Sequence, residues 1–123
     1  MDDFLILDFE KKELHQIKEK IQDFLQDKLK LELHPKKVNI FPVDEGVDFL
    51  GYRSFGNYRL LRKITVKRFI KRTKADQKKL SKGLPVEEKF NNSLQSWIAY
   101  AKHGSSWRLR KNLSEKLRVK LTK

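Results

Sequence analysis

Two adjacent carboxylates near the start of the chain are the side chains best suited to metal chemistry. Asp2 and Asp3 immediately precede a short apolar run over 4–7. Paired acidic oxygens are what hard divalent ions such as Mg²⁺ need. Adjacent acids at a chain terminus are more often simply solvated, so the pair alone is a weak signal. Its weight as a metal site depends on the segments that follow.

Other reaction chemistries find little support in the residue types. The chain has no cysteine, which excludes disulfides, thiolate metal sites and a cysteine nucleophile. His15, His34 and His103 share no ligand spacing, which disfavours a zinc site. No glycine-rich phosphate loop precedes a helix, and no Gly-x-Ser-x-Gly elbow occurs. Hydrolase and P-loop mechanisms are therefore not expected.

The distribution of charge points to a polyanionic partner. The formal net charge is +13, with −3 over residues 1–57 and +16 over residues 58–123. Such asymmetry predicts a basic part that contacts nucleic acid or an anionic surface. A solvated, lysine-rich helical surface is the alternative explanation. We weigh nucleic-acid contact above it because the excess is large.

Targeting and membrane signals are not evident in the sequence. The longest apolar run, over 4–7, is far shorter than the roughly 20 residues that span a bilayer. The opening Met1-Asp2-Asp3 lacks the basic start of a signal peptide. We therefore expect a cytoplasmic protein with no membrane partner.

The first half of the chain predicts strands around one helix. Apolar runs or alternation predict strands over 4–9, 29–33 and 38–41, and apolar residues at helical spacing predict a helix over 10–28. A β-hairpin follows, with one strand over 47–55, a loop at Gly56-Asn57 and a return strand over 58–61.

The second half predicts three amphipathic helices. In the first, Thr65 is a candidate N-cap, and lysines at steps of four, three and four residues line a face away from the apolar one. A linker over 81–85 separates the second helix, whose apolar stripe includes Trp97 and which ends before Gly104. Ser105 and Ser106 can cap the third, with leucines every four residues through Leu121. We expect Trp97 to be a core residue, and the sequence does not decide whether Trp107 is one. The fold class is therefore α+β.

Four segments carry a resemblance in their order and spacing. They are Asp2-Asp3 before the strand 4–7, the stretch Leu31-Glu32-Leu33-His34-Pro35-Lys36-Lys37, the hairpin sequence Phe49-Leu50-Gly51-Tyr52, and the helical sequences 94–103 and 108–110. Together they resemble the later part of a bacterial reverse transcriptase of the group II intron, retron or diversity-generating retroelement type. The resemblance covers nearly the whole chain.

The resemblance implies a division of labour along the chain. Residues 1–61 would be a partial polymerase palm and residues 62–123 a basic, thumb-like bundle of three helices. Its partners would be an RNA template and a DNA primer. The basic residues that would contact this duplex are Lys67, Arg68, Lys71, Arg72, Lys74, Lys78, Lys102, Arg108 and Arg110.

The resemblance also implies roles for the sites named above. Asp2 and Asp3 would match catalytic carboxylates that hold Mg²⁺ in the parent enzyme. Lys37 would act on the pyrophosphate, and a solvated turn lysine is an equal alternative. The segment Phe49-Leu50-Gly51-Tyr52 would match the primer grip. Its Gly51 would admit the primer backbone or form a β-bulge. Phe49 and Leu50 would pack the hairpin rather than contact nucleic acid, and Tyr52 could have either of these two roles.

The sequence departs from the family pattern in ways that bear on catalysis. The tyrosine of the catalytic turn, the fingers and the first palm segment with its additional aspartate do not occur in the sequence. We therefore expect this chain alone to be inactive and to bind Mg²⁺ weakly at most. Two other hypotheses stay open. One is a stand-alone basic nucleic-acid-binding module, and the other is a domain that docks an acidic protein.

Overall fold

The computed structural model describes residues 3–122, and within them the fold is α+β. The described part contains four α-helices and one three-stranded antiparallel sheet. In chain order these are α1 (Lys11–Phe24), β1 (Val47–Phe49), β2 (Tyr52–Ser54), β3 (Arg59–Leu61), α2 (Lys63–Ser81), α3 (Glu87–Lys102) and α4 (Trp107–Leu117). The chain divides into two compact units, residues 1–42 and residues 43–123.

The first unit is built around α1. A single π-helical turn, Leu25–Leu29, extends α1 and ends where Lys30 adopts a left-handed conformation at φ 53°. The predicted helix is thus confirmed, but the strands predicted over 4–9, 29–33 and 38–41 are wrong. A strand requires a hydrogen-bonded neighbour, and none of these segments pairs with another. No residue described in the range 3–42 is buried.

The sheet has one more turn than the sequence predicted. Its strands lie in the order β1-β2-β3, with Phe49 opposite Tyr52 across the first turn. The two residues between them, Leu50 and Gly51, both have positive φ, 50° and 87°, as a type I′ turn requires. The expected single strand over 47–55 is therefore wrong, because this turn divides it. The predicted loop at Gly56-Asn57 is confirmed.

The three predicted helices of the second unit are confirmed, with two corrections at their ends. The helix α2 begins at Lys63, directly after β3, so Thr65 lies inside the helix and is not its cap. The helix α4 ends at Leu117 because Arg118 adopts φ 52°. Leu121 nevertheless packs inward, since its backbone N–H donates to Ser114 Oγ at 3.0 Å and holds the tail against α4.

A single core lies within residues 43–123. The rings of Phe69 and Trp97 stack at its centre, 4.0 Å apart, which confirms Trp97 as a core residue. The buried apolar residues are Leu61, Phe69, Leu94, Trp97, Ile98, Ala101, Leu113, Leu117 and Leu121.

The hairpin belongs to this second unit. Leu61 of β3 is one of the core residues, and Tyr52 of β2 packs against the core. The compact unit that contains the hairpin therefore begins at residue 43. Across the described range 3–122, no helix combines the length and apolar character needed to cross a membrane.

Candidate nucleic-acid interface

The helix α2 presents a dense cationic surface. It contains one acidic residue, Asp76, against eight basic ones, and all eight are exposed. We call these eight side chains the α2 cationic face. They are Lys63, Lys67, Arg68, Lys71, Arg72, Lys74, Lys78 and Lys79.

Helical geometry keeps this face apart from the core. Phe69 and Thr73 of α2 are buried at 2% and 3% exposure. At about 100° per residue, Lys67, Lys71 and Lys78 fall on the opposite side of the helix from these two. The span from Lys67 to Lys78 is about 16 Å at 1.5 Å per residue. The basic groups therefore form a row long enough to follow a phosphate backbone.

Few carboxylates are placed to neutralise this charge. Among residues 3–122, the ion pairs of the second unit join Asp48 of β1 to Arg53 at 3.4 Å and to Arg62 at 3.9 Å. Neither involves a side chain of the α2 cationic face. Residues 43–123 hold 21 Lys and Arg against 7 Asp and Glu, a formal charge of +14. The positive field of this unit is thus largely uncompensated.

The three predicted basic contacts outside α2 differ in exposure. Lys102 and Arg108 are exposed, whereas Arg110 is only 8% exposed. The Arg110 guanidinium donates from Nε to Ser106 Oγ at 3.1 Å and from Nη1 to the Leu121 carbonyl at 3.2 Å. Arg110 therefore holds the C-terminal tail. Its spacing of three and seven residues from Leu113 and Leu117 already placed it on the core stripe.

The turn of the first hairpin is joined to the end of α3 by two tyrosines. The rings of Tyr52 and Tyr100 stack with centroids 4.8 Å apart. The Tyr52 hydroxyl donates to the Tyr100 carbonyl at 2.7 Å, and the Tyr100 hydroxyl donates to the Gly51 carbonyl. Because one hydroxyl is bonded to the backbone of α3 and the other to the backbone of the turn, the turn has a fixed position on the helical bundle.

A second set of contacts ties β3 to the loop between α3 and α4. The Arg59 guanidinium donates to the His103 carbonyl, and the Ser105 N–H donates to the Arg59 carbonyl at 2.8 Å. Gly104 permits this approach, since a Cβ there would lie 3.1 Å from Leu61 Cδ2. Gly104 was predicted only as a helix stop, and no role was predicted for Arg59.

These contacts also define the electrostatics at Tyr52. Burial raises the pKa of the Tyr52 hydroxyl, and the neighbouring Tyr100 adds to the increase. The Arg59 guanidinium, 5.1 Å from the centre of the Tyr52 ring, acts in the opposite direction. The protonated phenol is therefore the form that the folded site favours.

The hairpin residues that resemble a primer grip have different environments. Leu50 is 60% exposed at the tip, while Phe49, Gly51 and Tyr52 are partly buried. Gly51 is a turn residue whose positive φ favours glycine, so the alternative of a β-bulge is wrong. Tyr52 packs against Tyr100. Tyr100 itself was not predicted, although it lies three residues beyond Trp97 on the flank of the apolar stripe.

The predicted catalytic residues lie in the first unit or outside the described range. Asp3 and Lys37 are exposed side chains of residues 1–42, and Asp2 lies outside the described residues. Among residues 3–122, no group of three or more His, Asp or Glu side chains is arranged to hold a metal ion.

No model of a known protein family matches the chain. A search of curated proteins likewise finds no significant match.

Proposed function

We propose that residues 43–123 bind the backbone of a nucleic-acid duplex through the α2 cationic face. The observation that carries the proposal is the arrangement of α2, in which eight basic side chains are exposed while Phe69 and Thr73 anchor the opposite side in the core. Lysine and arginine on a rigid helix contact phosphates without reading bases. The binding is therefore independent of nucleotide sequence and sensitive to salt.

The resemblance to reverse transcriptases supports a more specific form of this proposal. In it, the duplex is an RNA template paired with a DNA primer, and the parent protein is an RNA-directed DNA polymerase. The α2–α4 bundle acts as the thumb, the Leu50 turn approaches the primer, and Asp2, Asp3 and Lys37 belong to a Mg²⁺-dependent site. The fixed position of the hairpin on α3, through Tyr52 and Tyr100, is what a primer-positioning element needs.

A second candidate is a stand-alone binding module without catalysis. It is favoured by the core, whose buried apolar residues all lie between Leu61 and Leu121. Such a unit can hold its basic surface in place without other parts of a polymerase. The two candidates differ in whether an RNA–DNA hybrid is expected to bind at least as tightly as a DNA duplex.

Fluorescence anisotropy with labelled duplexes at several salt concentrations tests the proposal. If about four to six phosphates are neutralised, log affinity falls with log salt at a slope of about −3 to −5. Replacing Lys67, Lys71 and Lys74 together by Glu should weaken binding at least about tenfold and reduce the slope by about 3. The helix should persist by circular dichroism, since all three positions are exposed and Glu is a good helix former.

A matched variant separates a local contact from net charge. Lys11, Lys12 and Lys20 are exposed on α1, in the first unit. Replacing these three by Glu changes the formal charge by the same amount and should leave the affinity within about threefold of the wild type. Equal losses in both triple variants would contradict a site on α2. Negligible duplex binding by the wild type at low salt would remove nucleic acid as the partner.

The same titration distinguishes the two candidates. If the helical bundle is a polymerase thumb, an RNA–DNA hybrid should bind at least as tightly as a DNA duplex of equal length. The reason is that hybrid and RNA helices both have A-like minor grooves lined by 2′-hydroxyls, which the protein can contact. A consistent preference for DNA duplex would argue against the reverse-transcriptase assignment while leaving backbone binding intact.

A further inference from the structure

The two tryptophans of the chain occupy opposite environments. Trp97 is 4% exposed and stacks on Phe69, whereas Trp107, the first residue of α4, is 58% exposed. An exposed tryptophan contributes little to the core and presents a large aromatic surface to solvent. The packing of the second unit therefore leaves the position of Trp107 unexplained.

A fixed cation supports the Trp107 ring. The central carbon of the Arg110 guanidinium lies 5.6 Å from the ring centroid, within the range of a cation–π contact. Arg110 is itself held by hydrogen bonds to Ser106 and Leu121. The indole thus rests against a side chain that cannot easily move. An aromatic surface held in this way loses little conformational entropy when a ligand stacks on it.

The surroundings of Trp107 are positively charged. Arg108 and Lys111 are exposed in the first two turns of α4, and the first turn contains no acidic residue. Lys111 lies four residues after Trp107 and therefore on the same side of the helix. A hydrophobic protein partner that covered the indole would have to desolvate these cations, which costs free energy. A nucleotide has a planar base for the ring and a phosphate for the cations.

From this arrangement we propose that Trp107 is a stacking platform for an unpaired nucleobase, with Arg108 and Lys111 contacting the adjacent phosphates. The inference rests on the proposed binding of nucleic acid by the same unit and adds a site for single-stranded nucleic acid to it. Stacking on a tryptophan accepts every base, so the platform is not sequence-specific.

The test compares a blunt duplex with the same duplex carrying a short single-stranded overhang. Trp107→Ala should weaken binding of the overhang substrate by about 5- to 100-fold, the range expected for loss of one base–aromatic stack. Binding of the blunt duplex should stay within about twofold. Trp107→Phe should retain part of the difference, since a smaller aromatic ring remains.

Two controls isolate the stacking contact. Leu84→Ala removes an apolar side chain that is 47% exposed outside α4, and it should not change binding of either substrate. An overhang with an abasic sugar at each position should bind the wild type no more tightly than the intact overhang binds Trp107→Ala. In addition, the intact overhang should quench the tryptophan fluorescence of the wild type but not of Trp107→Phe, whose one remaining indole is the buried Trp97.

The outcomes separate this inference from the proposed function. If the wild type binds duplex with a steep salt dependence but Trp107→Ala binds the overhang equally well, the platform is refuted and backbone binding stands. Equal losses on blunt and overhang substrates would also refute it, because they would show that Trp107 contacts the duplex itself. Absence of any nucleic-acid binding by the wild type would refute both.

Discussion

Tyr52 shows how one side chain joins two elements that are distant in the sequence. Its ring stacks on Tyr100, and its hydroxyl donates to the backbone of α3 across 48 positions. The donated hydrogen bond requires the protonated phenol. Since the pKa of Tyr52 is raised in the folded state, protonation of this group contributes stability that is complete below its ordinary pKa of 10.0 and is lost as the pH rises through the folded-state pKa.

Alkaline pH should therefore loosen the hairpin. We expect Tyr52→Phe to lower the free energy of unfolding by about 0.5–1.5 kcal/mol at neutral pH, through loss of the hydrogen bond. Above about pH 10 the stability of this variant should fall less steeply than that of the wild type. Tyr58, 48% exposed, is the control, and Tyr58→Phe should change the free energy of unfolding at neutral pH by less than about 0.5 kcal/mol. Urea unfolding across this pH range measures both effects, and parallel slopes for the wild type and Tyr52→Phe would contradict the assignment.

At the scale of elements, the sequence was most informative where the structure depends on local periodicity. The apolar stripes of α2 and α3, which predicted these helices, supply residues to the core. The buried residues include Phe69 of α2 and Leu94, Trp97 and Ala101 of α3. A helix satisfies its backbone within itself, so its pattern is visible in the sequence. The apolar run over 4–9 has the composition of a strand, but strand formation depends on a partner elsewhere, which composition does not reveal.

The same contrast between local pattern and distant contacts applies to the candidate site. Exposure of the α2 lysines follows from their spacing relative to Phe69, and it was predicted. The type I′ turn at Leu50-Gly51 was not, because leucine rarely adopts the positive φ that this position has. Tyr100 and Arg59 were missed because their contacts are tertiary. The burial of Arg110 was not predicted, because its residue type was given more weight than its position on the apolar stripe.

The hydrogen bonds of Arg110 predict that its removal lowers the stability of the fold. Arg110→Ala removes two hydrogen bonds from a charged group to Ser106 and Leu121 and should cost about 2–3 kcal/mol. Arg108, exposed two positions earlier, is the matched control, and Arg108→Ala should change the free energy of unfolding by less than about 0.5 kcal/mol. Chemical denaturation of both variants decides the matter. Equal stability of the two would mean that Arg110 does not anchor the tail.

At the scale of the whole molecule, the apolar residues are divided unequally between the two units. Within residues 3–122, every buried apolar side chain belongs to the second unit, while Phe4, Leu7, Phe9 and Phe24 of the first unit are exposed. Burial of apolar surface is the main source of folding free energy. The cooperative stability of the chain should therefore come from the second unit, which also carries the α2 cationic face and Trp107.

Calorimetry can measure this division. At about 0.7 kcal/mol per residue, unfolding of residues 43–123 should absorb about 55 kcal/mol near 60 °C, against about 85 kcal/mol if all 123 residues unfolded cooperatively. We expect the full chain to show the smaller enthalpy, and residues 43–123 expressed alone to melt within a few degrees of it with the same affinity for duplex. An enthalpy near the larger value, or failure of residues 43–123 to fold alone, would show that the first unit contributes to the cooperative structure. The basic surface and its core would then not form an independent binding unit.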